Sequence, residues 1–367
     1  MLRSFVSPAL LVLVLAATPA DGESPGVFAA VSLDRVQLNT AVGGTVSLTV
    51  TLRRAGTLDV LVVDRDGFPV RRLARDTKAP AAASRFTWDG RADDGRLVPD
   101  EAYSFRIEWR SGDQREIYFP ANEPAHIQSI PVGGYSRQTA TLSYTLPVAS
   151  RVHVQAGVAV KNPKSGVMEG PVMKTVVNRA PRAAGRIAEQ WNGLDESGML
   201  LIPELPDFVL AVAASPLPES SVITIGNRER AFAESAQTRK GASLFIPKTA
   251  SHAHHMDLQV LDDLSPGLRI EPVNAQWSES ERAWITGEKT LRLRLTLTGP
   301  AAASFARQPG RMFRFVDQKL AGESKPAQGE LTVSVPGRGA VHNISFNWRS
   351  DYGAVAANTI RVKRVAR

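Results

Sequence analysis

The segment 251–257, Ser-His-Ala-His-His-Met-Asp, holds the densest set of metal-ligating side chains in the sequence. Three of the six His residues, His252, His254 and His255, fall within four positions, and Met256 follows them. On a strand, His252 and His254 would project to one face. Imidazoles with a thioether suit copper, and imidazoles with a carboxylate suit zinc. The cluster therefore supports the hypothesis of a metal-binding protein, most readily for copper, while a polar loop or a contact with a partner fits the same residues.

No other pattern in the sequence indicates catalysis. There is no Gly-rich phosphate loop, no G-x-S-x-G and no H-E-x-x-H, and the absence of Cys excludes thiol nucleophiles, disulfides and iron–sulfur ligation. The turn at 64–67, Asp-Arg-Asp-Gly, lacks the remaining ligands of a calcium loop and reads as a hairpin turn. We therefore expect that the protein is not an enzyme and that it binds no cofactor beyond the possible copper or zinc. A polysaccharide hydrolase with two facing carboxylates is a third hypothesis, which spacing alone does not test.

The N-terminus has the pattern of an export signal. Arg3 supplies a positive charge, residues 9–17 are almost wholly apolar, and Thr18-Pro19-Ala20 offers a small-residue cleavage site. Residues 1–20 are therefore predicted to be a signal peptide, which places the mature chain in the periplasm or at the cell surface of a bacterium. No later segment is apolar enough to predict a transmembrane span.

Charge is distributed unevenly along the chain. The net charge is +8, and residues 236–367 carry all of it, with 19 Lys and Arg against 11 Asp and Glu. A local positive field favours an anionic partner, which for an exported chain means an envelope or surface protein or an anionic polymer rather than nucleic acid. A basic surface that only maintains solubility is the alternative. The sequence does not indicate an oligomeric state.

Two related turn sequences lie 103 residues apart and indicate an internal repeat. Each has a Trp that can anchor a core, an Asp-Gly or Asn-Gly pair suited to positive φ, a second Gly five residues after the first, and an aromatic residue that begins a closing strand. These structural candidates are Trp88, Asp89, Gly90, Gly95 and Tyr103 in the first copy, and Trp191, Asn192, Gly193, Gly198 and Phe208 in the second.

Short alternating strands surround both turns and predict an all-β fold of tandem immunoglobulin-like β-sandwiches followed by a C-terminal β-sandwich. We expect a first sandwich over 21–122, a second over 123–228 and a basic third domain over 229–367. The third region offers eight strand candidates, among them 242–247, 257–261 and the alternating Leu/Arg run at 290–298, and the segment 230–236 could form a helical turn or two.

The first copy resembles the immunoglobulin-like domain of the flagellar hook-capping protein. The resemblance is carried by the strand at 58–63, by Gly67-x-x-Val70-Arg71-x-Leu73, by Trp88-Asp89-Gly90 with Gly95-x-x-Val98-Pro99, and by the aromatic strand from Tyr103. It covers residues 30–110 and, more weakly, 127–215, while the C-terminal region resembles no family that we recognise. The resemblance implies a non-catalytic β-sandwich used as a spacer or assembly module. With the export signal and the basic region, it favours a non-enzymatic exported scaffold or adaptor that binds its partner through the C-terminal domain.

Overall fold

The structure is a computed structural model. It describes residues 26–123, 127–161, 168–227, 229, 232, 235–236, 241–245, 266–299, 302–307, 309–325, 328–351 and 354–366. These residues form three β-sandwiches, which confirms the predicted all-β architecture of tandem immunoglobulin-like sandwiches followed by a third. Each sandwich has its own hydrophobic core.

The first sandwich begins with eight strands and two 3₁₀ turns, Thr40–Val42 and Pro120–Asn122. The strands are β1 (Phe28–Leu33), β2 (Gln37–Asn39), β3 (Val46–Leu52), β4 (Gly56–Val63), β5 (Pro69–Ala79), β6 (Ala83–Trp88), β7 (Ala102–Ser111) and β8 (Gln114–Tyr118). One sheet has the order β1-β3-β6, and the other contains β7-β4-β5 with β8 beside β7. Alternation places Val46, Leu48 and Val50 inside, where they pack with the aromatic residues of β7.

The second sandwich repeats this arrangement. Its strands are β9 (Gln128–Ile130), β10 (Val132–Ser136), β11 (Thr141–Leu146), β12 (Ser150–Val158), β13 (Val160–Lys161), β14 (Met168–Glu169), β15 (Val172–Arg182), β16 (Gly185–Gln190) and β17 (Phe208–Pro216), with a 3₁₀ turn at Ile202–Glu204. The sheets β10-β11-β16 and β15-β12-β17 correspond to β1-β3-β6 and β5-β4-β7 of the first sandwich. β9, which precedes β10 in the chain, takes the edge position beside the closing strand that β8, which follows β7, takes in the first. The repeat inferred from the two turns therefore extends to the sheet topology.

The next strand, β18 (Val222–Ile225), returns to the first sandwich. It pairs in parallel with β2 and antiparallel with β7, which completes the order β2-β18-β7-β4-β5. This placement differs from the expected boundary, which put residues 123–228 together in the second sandwich. β18 belongs to the first sandwich although it follows the second in the chain, because it pairs with the free edges of β2 and β7. The second sandwich is thus connected to the first at both of its ends.

The third sandwich contains β19 (Gly267–Pro272), β20 (Gln276–Ser278), β21 (Ala283–Thr286), β22 (Thr290–Thr298), β23 (Gly310–Val316), β24 (Lys319–Ser324), β25 (Gly329–Ser334), β26 (Val341–Ser350) and β27 (Val355–Arg364), with one helix, α1 (Ala302–Arg307). The sheets have the orders β19-β22-β25 and β20-β21-β27-β26-β23-β24. Along β22 the Leu residues are buried and the polar residues exposed, as predicted.

Of the strands expected in the C-terminal region, the one at 257–261 lies outside the described residues, and the one at 242–247 differs from the structure. Residues 242–245 were expected to begin a strand but form none, because Leu244 donates its backbone N–H to Gly67 in the first sandwich rather than to a neighbouring strand. The short strands β20, β21 and β24 and the helix α1 carry too little periodicity to be predicted. No helix among the described residues is long and apolar enough to cross a membrane.

Candidate functional site

The first Trp-Gly turn is organised around a buried indole. Trp88 is 1% exposed, its ring packs edge-on against Tyr103 with centroids 5.3 Å apart, and its N–H donates to the Arg91 carbonyl oxygen at 2.9 Å. Asp89 Oδ1 accepts from the Arg91 N–H at 3.1 Å. Gly90 has φ 75°, and a Cβ there would lie 2.7 Å from Thr40, so both the left-handed backbone and the close approach require glycine.

The second turn reproduces these contacts with different side chains. Trp191 is 5% exposed and donates to the Leu194 carbonyl oxygen at 2.9 Å, and Asn192 Oδ1 accepts from the Leu194 N–H at 3.1 Å. Gly193 and Gly198 have φ 82° and 71°, close to the 75° and 81° of Gly90 and Gly95. The Trp191 ring lies 6.4 Å from that of Phe208 on the closing strand and 5.1 Å from that of Tyr135.

The two copies differ by an insertion in one connection. Val60 pairs with Ala74 in the first copy and Val154 with Val177 in the second, so the second copy has nine more residues between these strands. Eight of these nine residues lie in the connection after Val158, which has 13 residues against 5 in the first copy and includes the β13–β14 hairpin. We call this connection, residues 159–171, the long loop, and its counterpart at 64–68 the short turn.

The short turn lies at the contact between the first and second sandwiches, which we call joint A. Arg65, whose side chain is 3% exposed, donates from Nη1 to Glu101 Oε2 at 3.1 Å. Arg151 of β12 binds the other oxygen of the same carboxylate and donates to the Ala102 carbonyl oxygen at 3.3 Å. Thr224 of β18 accepts from the Glu101 N–H at 3.0 Å. One buried carboxylate therefore joins a guanidinium from each sandwich.

The electrostatics of joint A follow from its burial. Burial lowers the pKa of Arg65, and the charge of Glu101 opposes that shift. On the outer face of β12, next to Arg151, burial and the nearby charge of Arg179 lower the pKa of His153 to about 4. The imidazole of His153 is therefore neutral at physiological pH, which adds no third positive charge to this joint.

A described stretch of the connection to the third sandwich lies on the first sandwich. Ser243 Oγ donates to the Asp66 carbonyl oxygen at 2.6 Å, and the Leu244 N–H donates to the Gly67 carbonyl oxygen at 2.8 Å. The ring of Phe245 stacks on Phe119 with centroids 5.5 Å apart. Together with Leu61 and Val63, which face away from the main core, these residues form a separate apolar cluster. The short turn thus contacts both the second sandwich, where Arg65 donates to the Arg179 carbonyl oxygen at 3.5 Å, and the 243–245 segment.

The end of the long loop, at Gly170, and Val172, the first residue of β15, contact the third sandwich, and we call this contact joint B. Phe346 and Trp348 of β26 point into the core, so the side chain of Asn347 between them faces outward. Asn347 is nevertheless fully buried. Its Oδ1 accepts from the Val172 N–H and its Nδ2 donates to the Val172 carbonyl oxygen, both at 2.7 Å. Arg349 donates to the Gly170 carbonyl oxygen at 3.1 Å. An amide side chain here satisfies a backbone unit as a paired strand would.

One end of the third sandwich is basic. Lys289 and Arg338 are exposed, and Arg364 is half-buried. Backbone hydrogen bonds from Val335 to Lys289 and from Gly339 to Arg364 bring their loops together. We call Lys289, Arg338 and Arg364 the basic end. Over residues 266–366 the described chain has 15 Lys and Arg, and within that part only Arg269, Arg294, Arg311 and Lys363 lie within 4.0 Å of a carboxylate.

The two other candidates for chemistry are the His and Met cluster at 252–256 and the acidic turn at 64–67. His252, His254, His255 and Met256 lie outside the described residues, and no group of three His, Asp or Glu in the described ranges has the arrangement of a metal site. In the short turn, Asp64 Oδ1 accepts from the N–H groups of Asp66 and Phe68, both at 2.9 Å, as a turn-capping Asp does. This geometry agrees with the interpretation of 64–67 as a hairpin turn.

Sequence reasoning missed the residues of both joints. Glu101 and Arg65 look like solvent-facing turn residues, and Asn347 and Arg349 occupy the alternate positions that a half-buried strand normally exposes. The nine-residue difference between the copies is the one signal that points to joint B, because an insertion confined to a single turn of a repeated unit marks a place with an added role.

No family model matches this chain, and no curated protein matches it. Alignments with solved structures cover most of this chain at low identity. These include trypsin-activated alpha-2-macroglobulin from Escherichia coli (12% identity, 94% of this chain and 24% of that one, TM-score 0.20), the fibronectin(III)-like modules of Clostridium thermocellum CbhA (10%, 92% and 95%, 0.20) and a tetra-tandem repeat in the extending region of a large adhesion protein (12%, 92% and 74%, 0.20).

This chain thus spans about a quarter of the length of the Escherichia coli structure. At these TM-scores the similarities carry no argument about partner or activity. The assignment to immunoglobulin-like sandwiches rests on the sheet orders, and the resemblance to the hook-capping domain stays an expectation.

Proposed function

We propose that this chain is a non-enzymatic exported scaffold or adaptor, in which two immunoglobulin-like sandwiches hold a basic third sandwich in a set orientation. In this proposal the partner is an envelope or surface protein, or a polymer, that presents anionic groups to the basic end. The observation that carries the proposal is the excess of basic side chains without a carboxylate within ion-pair distance over the described residues 266–366. Such groups raise the local positive potential and attract anions.

The two joints support the scaffold part of the proposal. Joint A uses the buried ion pair between Arg151 and Glu101, and joint B uses the buried amide of Asn347. Both fix the relative orientation of the sandwiches they join, because these hydrogen bonds are lost when one sandwich rotates against the other. The second sandwich is connected to the first at both ends, which further restricts their relative motion. A spacer that presents a binding surface benefits from this rigidity, because less conformational entropy is lost on binding.

The experiment compares two charge-reversed variants of the mature chain. Lys289→Glu with Arg338→Glu reverses the basic end, and Lys78→Glu with Arg85→Glu applies the same charge change to exposed positions of the first sandwich. Each protein is immobilised and exposed to envelope extract at low and at physiological salt. We expect the basic-end variant alone to lose the retained partner, and salt to weaken retention by the wild type. Equal retention by both variants, or no partner at either salt, would count against the proposal.

The alternative is a periplasmic metal-binding protein that uses His252, His254, His255 and Met256. It rests on the sequence cluster alone, and copper fits the imidazole and thioether donors best. Titration with Cu(II) and Zn(II), repeated after all three His residues are changed to Ala, separates the two proposals. Equal metal binding by the wild type and the triple variant would remove the alternative without touching the scaffold proposal.

A further inference from the structure

A groove of about 390 Å³ runs along one edge of the first sandwich, where that sandwich meets the second. Its walls combine residues of β1, of the connection after it, and of the two segments 148–149 and 217–223. Val36 and Val148, which are 58% and 48% exposed, line it and are among the most exposed large apolar side chains in the described chain. The volume lies within the range of ligand sites, ~300–1,000 Å³.

The groove follows the backbone of β1 rather than one face of it. Val31, Ser32 and Leu33 all line it, although successive side chains of a strand point to opposite faces. Three consecutive residues share one cleft only when the cleft lies beside the strand edge. β1 is the edge strand of the order β1-β3-β6, and within the described chain no strand pairs with its second edge.

The hydrogen-bond phase of β1 shows which backbone groups point into the groove. Asp34 donates its N–H to the Ser47 carbonyl oxygen at 3.1 Å, which makes that pair a hydrogen-bonded one. In an antiparallel ladder hydrogen-bonded and non-hydrogen-bonded pairs alternate. Ser32 therefore bonds to β3, while Val31 and Leu33, opposite Val50 and Leu48, direct their N–H and carbonyl groups away from β3. Two donors and two acceptors thus lie in a row along the groove.

We propose that this edge is a strand-addition site for an extended segment of a partner protein. Only an extended polypeptide presents donors and acceptors at the spacing of Val31 and Leu33, and alternate apolar side chains on it would contact Val36 and Val148. Glu219 is the charged residue that lines the groove, and it favours a segment that carries a Lys or Arg beside its apolar residues. The groove is lined by residues of both sandwiches, with Val148 and Ala149 from the second, so an added strand would contact both.

This site is separate from the basic end, and its test is independent of the proposed function. The probe is a synthetic peptide with the sequence of β3 between two added lysines, because that sequence already pairs with the other edge of β1. The control peptide has the same composition in scrambled order. Binding is measured on the mature chain by fluorescence anisotropy, and amide hydrogen exchange is followed by NMR.

We expect the amides of Val31 and Leu33 to exchange fast in the free chain and to become protected when the peptide binds. The amide of Ser32, which bonds to β3, should be protected in both states and serves as an internal control. Val148→Lys should weaken binding about tenfold or more, because a charged group then faces the apolar side chains of the added strand. Val42→Lys changes an exposed Val outside the groove, 77% exposed, and should leave binding unchanged.

Four results would overturn the proposal. They are the absence of binding at millimolar peptide, equal binding of the scrambled peptide, binding that leaves Val31 and Leu33 exchanging freely, and protection of these amides that rises with the concentration of the chain alone. The last result would assign the edge to a second copy of the chain. Melting temperatures of Val148→Lys and Val42→Lys that match the wild type establish that a change in binding is not a folding defect.

Discussion

Replacing Trp88 or Trp191 by Ala tests whether the two copies use their turns in the same way. Both indoles are almost fully buried, both donate to the carbonyl oxygen three residues later at 2.9 Å, and both contact the closing strand of their sandwich. Truncation removes the ring from the core and leaves the carbonyl oxygen of Arg91 or Leu194 without this donor.

The magnitude follows from this burial. Removing a large aromatic side chain from a packed core costs about 3–5 kcal/mol. Single domains are stable by about 5–15 kcal/mol, so each variant should lose much of the stability of its own sandwich. Trp277, 37% exposed on β20, is the matched control, and Trp277→Ala should cost only about 1–2 kcal/mol.

The assay is urea unfolding combined with hydrogen exchange resolved by sandwich. Trp191→Ala should lower protection in β11, β12 and β17 and leave β22 of the third sandwich protected. β18 follows the second sandwich in the chain but belongs to the first. An unfolded second sandwich therefore becomes a disordered connection between two strands of the first sandwich, and the entropic cost of closing such a connection grows only slowly with its length. The first sandwich should then persist.

Two results would refute this reasoning. One is a loss of less than about 1 kcal/mol for either variant, which would mean that the indole is not part of a packed core. The other is loss of protection in the third sandwich together with the mutated one, since that would mean the sandwiches unfold as a single unit.

Three further predictions concern charged and titrating groups. Glu101→Ala removes the carboxylate that joins two guanidinium groups in joint A and should lower the free energy of unfolding in urea by about 3–5 kcal/mol. The control Glu204→Ala removes an exposed ion pair and should lower it by about 0–1 kcal/mol. Burial of Glu108 opposes its ionisation, but hydrogen bonds from three Arg side chains lower its pKa to about 2. Because an unfolded Glu titrates at about 4.3, the stability that Glu108 contributes is present above that pH and is lost as the pH falls toward about 2. The unfolding free energies of the wild type and of Glu108→Gln should therefore differ at neutral pH and converge near pH 2. Burial and the charge of Arg179 lower the pKa of His153 to about 4, so the unfolded chain binds the proton first and the fold should lose stability as the pH falls from about 6.5 to about 4. In His153→Gln the unfolding free energy should depend less on pH over this range, and NMR titration of the imidazole checks the pKa.

The repeated unit could be predicted from sequence because its signals are local. A Trp, a pair suited to positive φ and a closing aromatic strand lie within about 20 residues, and each has a direct conformational reason. The alternating Leu and Arg residues of β22 are predictable on the same grounds. These patterns specify which face of a strand is buried, and the structure agrees with them at Trp88, Trp191 and Leu293.

The joints and the return of β18 could not be predicted because their signals are non-local. Val222–Ile225 is a short apolar run that fits either sandwich, and the free edge of β7 determines where it pairs. Asn347 occupies an outward position of β26, and it is buried because Val172, 175 residues away in the chain, lies against it. Polar residues of this kind appear solvent-facing until the tertiary contact is known.

The set orientation of the third sandwich is the central claim, and a distance measurement tests it most directly. The chain has no Cys, so Lys78→Cys on the first sandwich and Arg292→Cys on the third, both exposed, introduce two unique spin-label sites. Double electron–electron resonance on this protein should give one narrow distance distribution. Adding Asn347→Ala and Arg349→Ala, which removes the side-chain hydrogen bonds of joint B, should broaden it. A distribution that is already broad with joint B intact, or one that the joint B substitutions leave unchanged, would contradict the account.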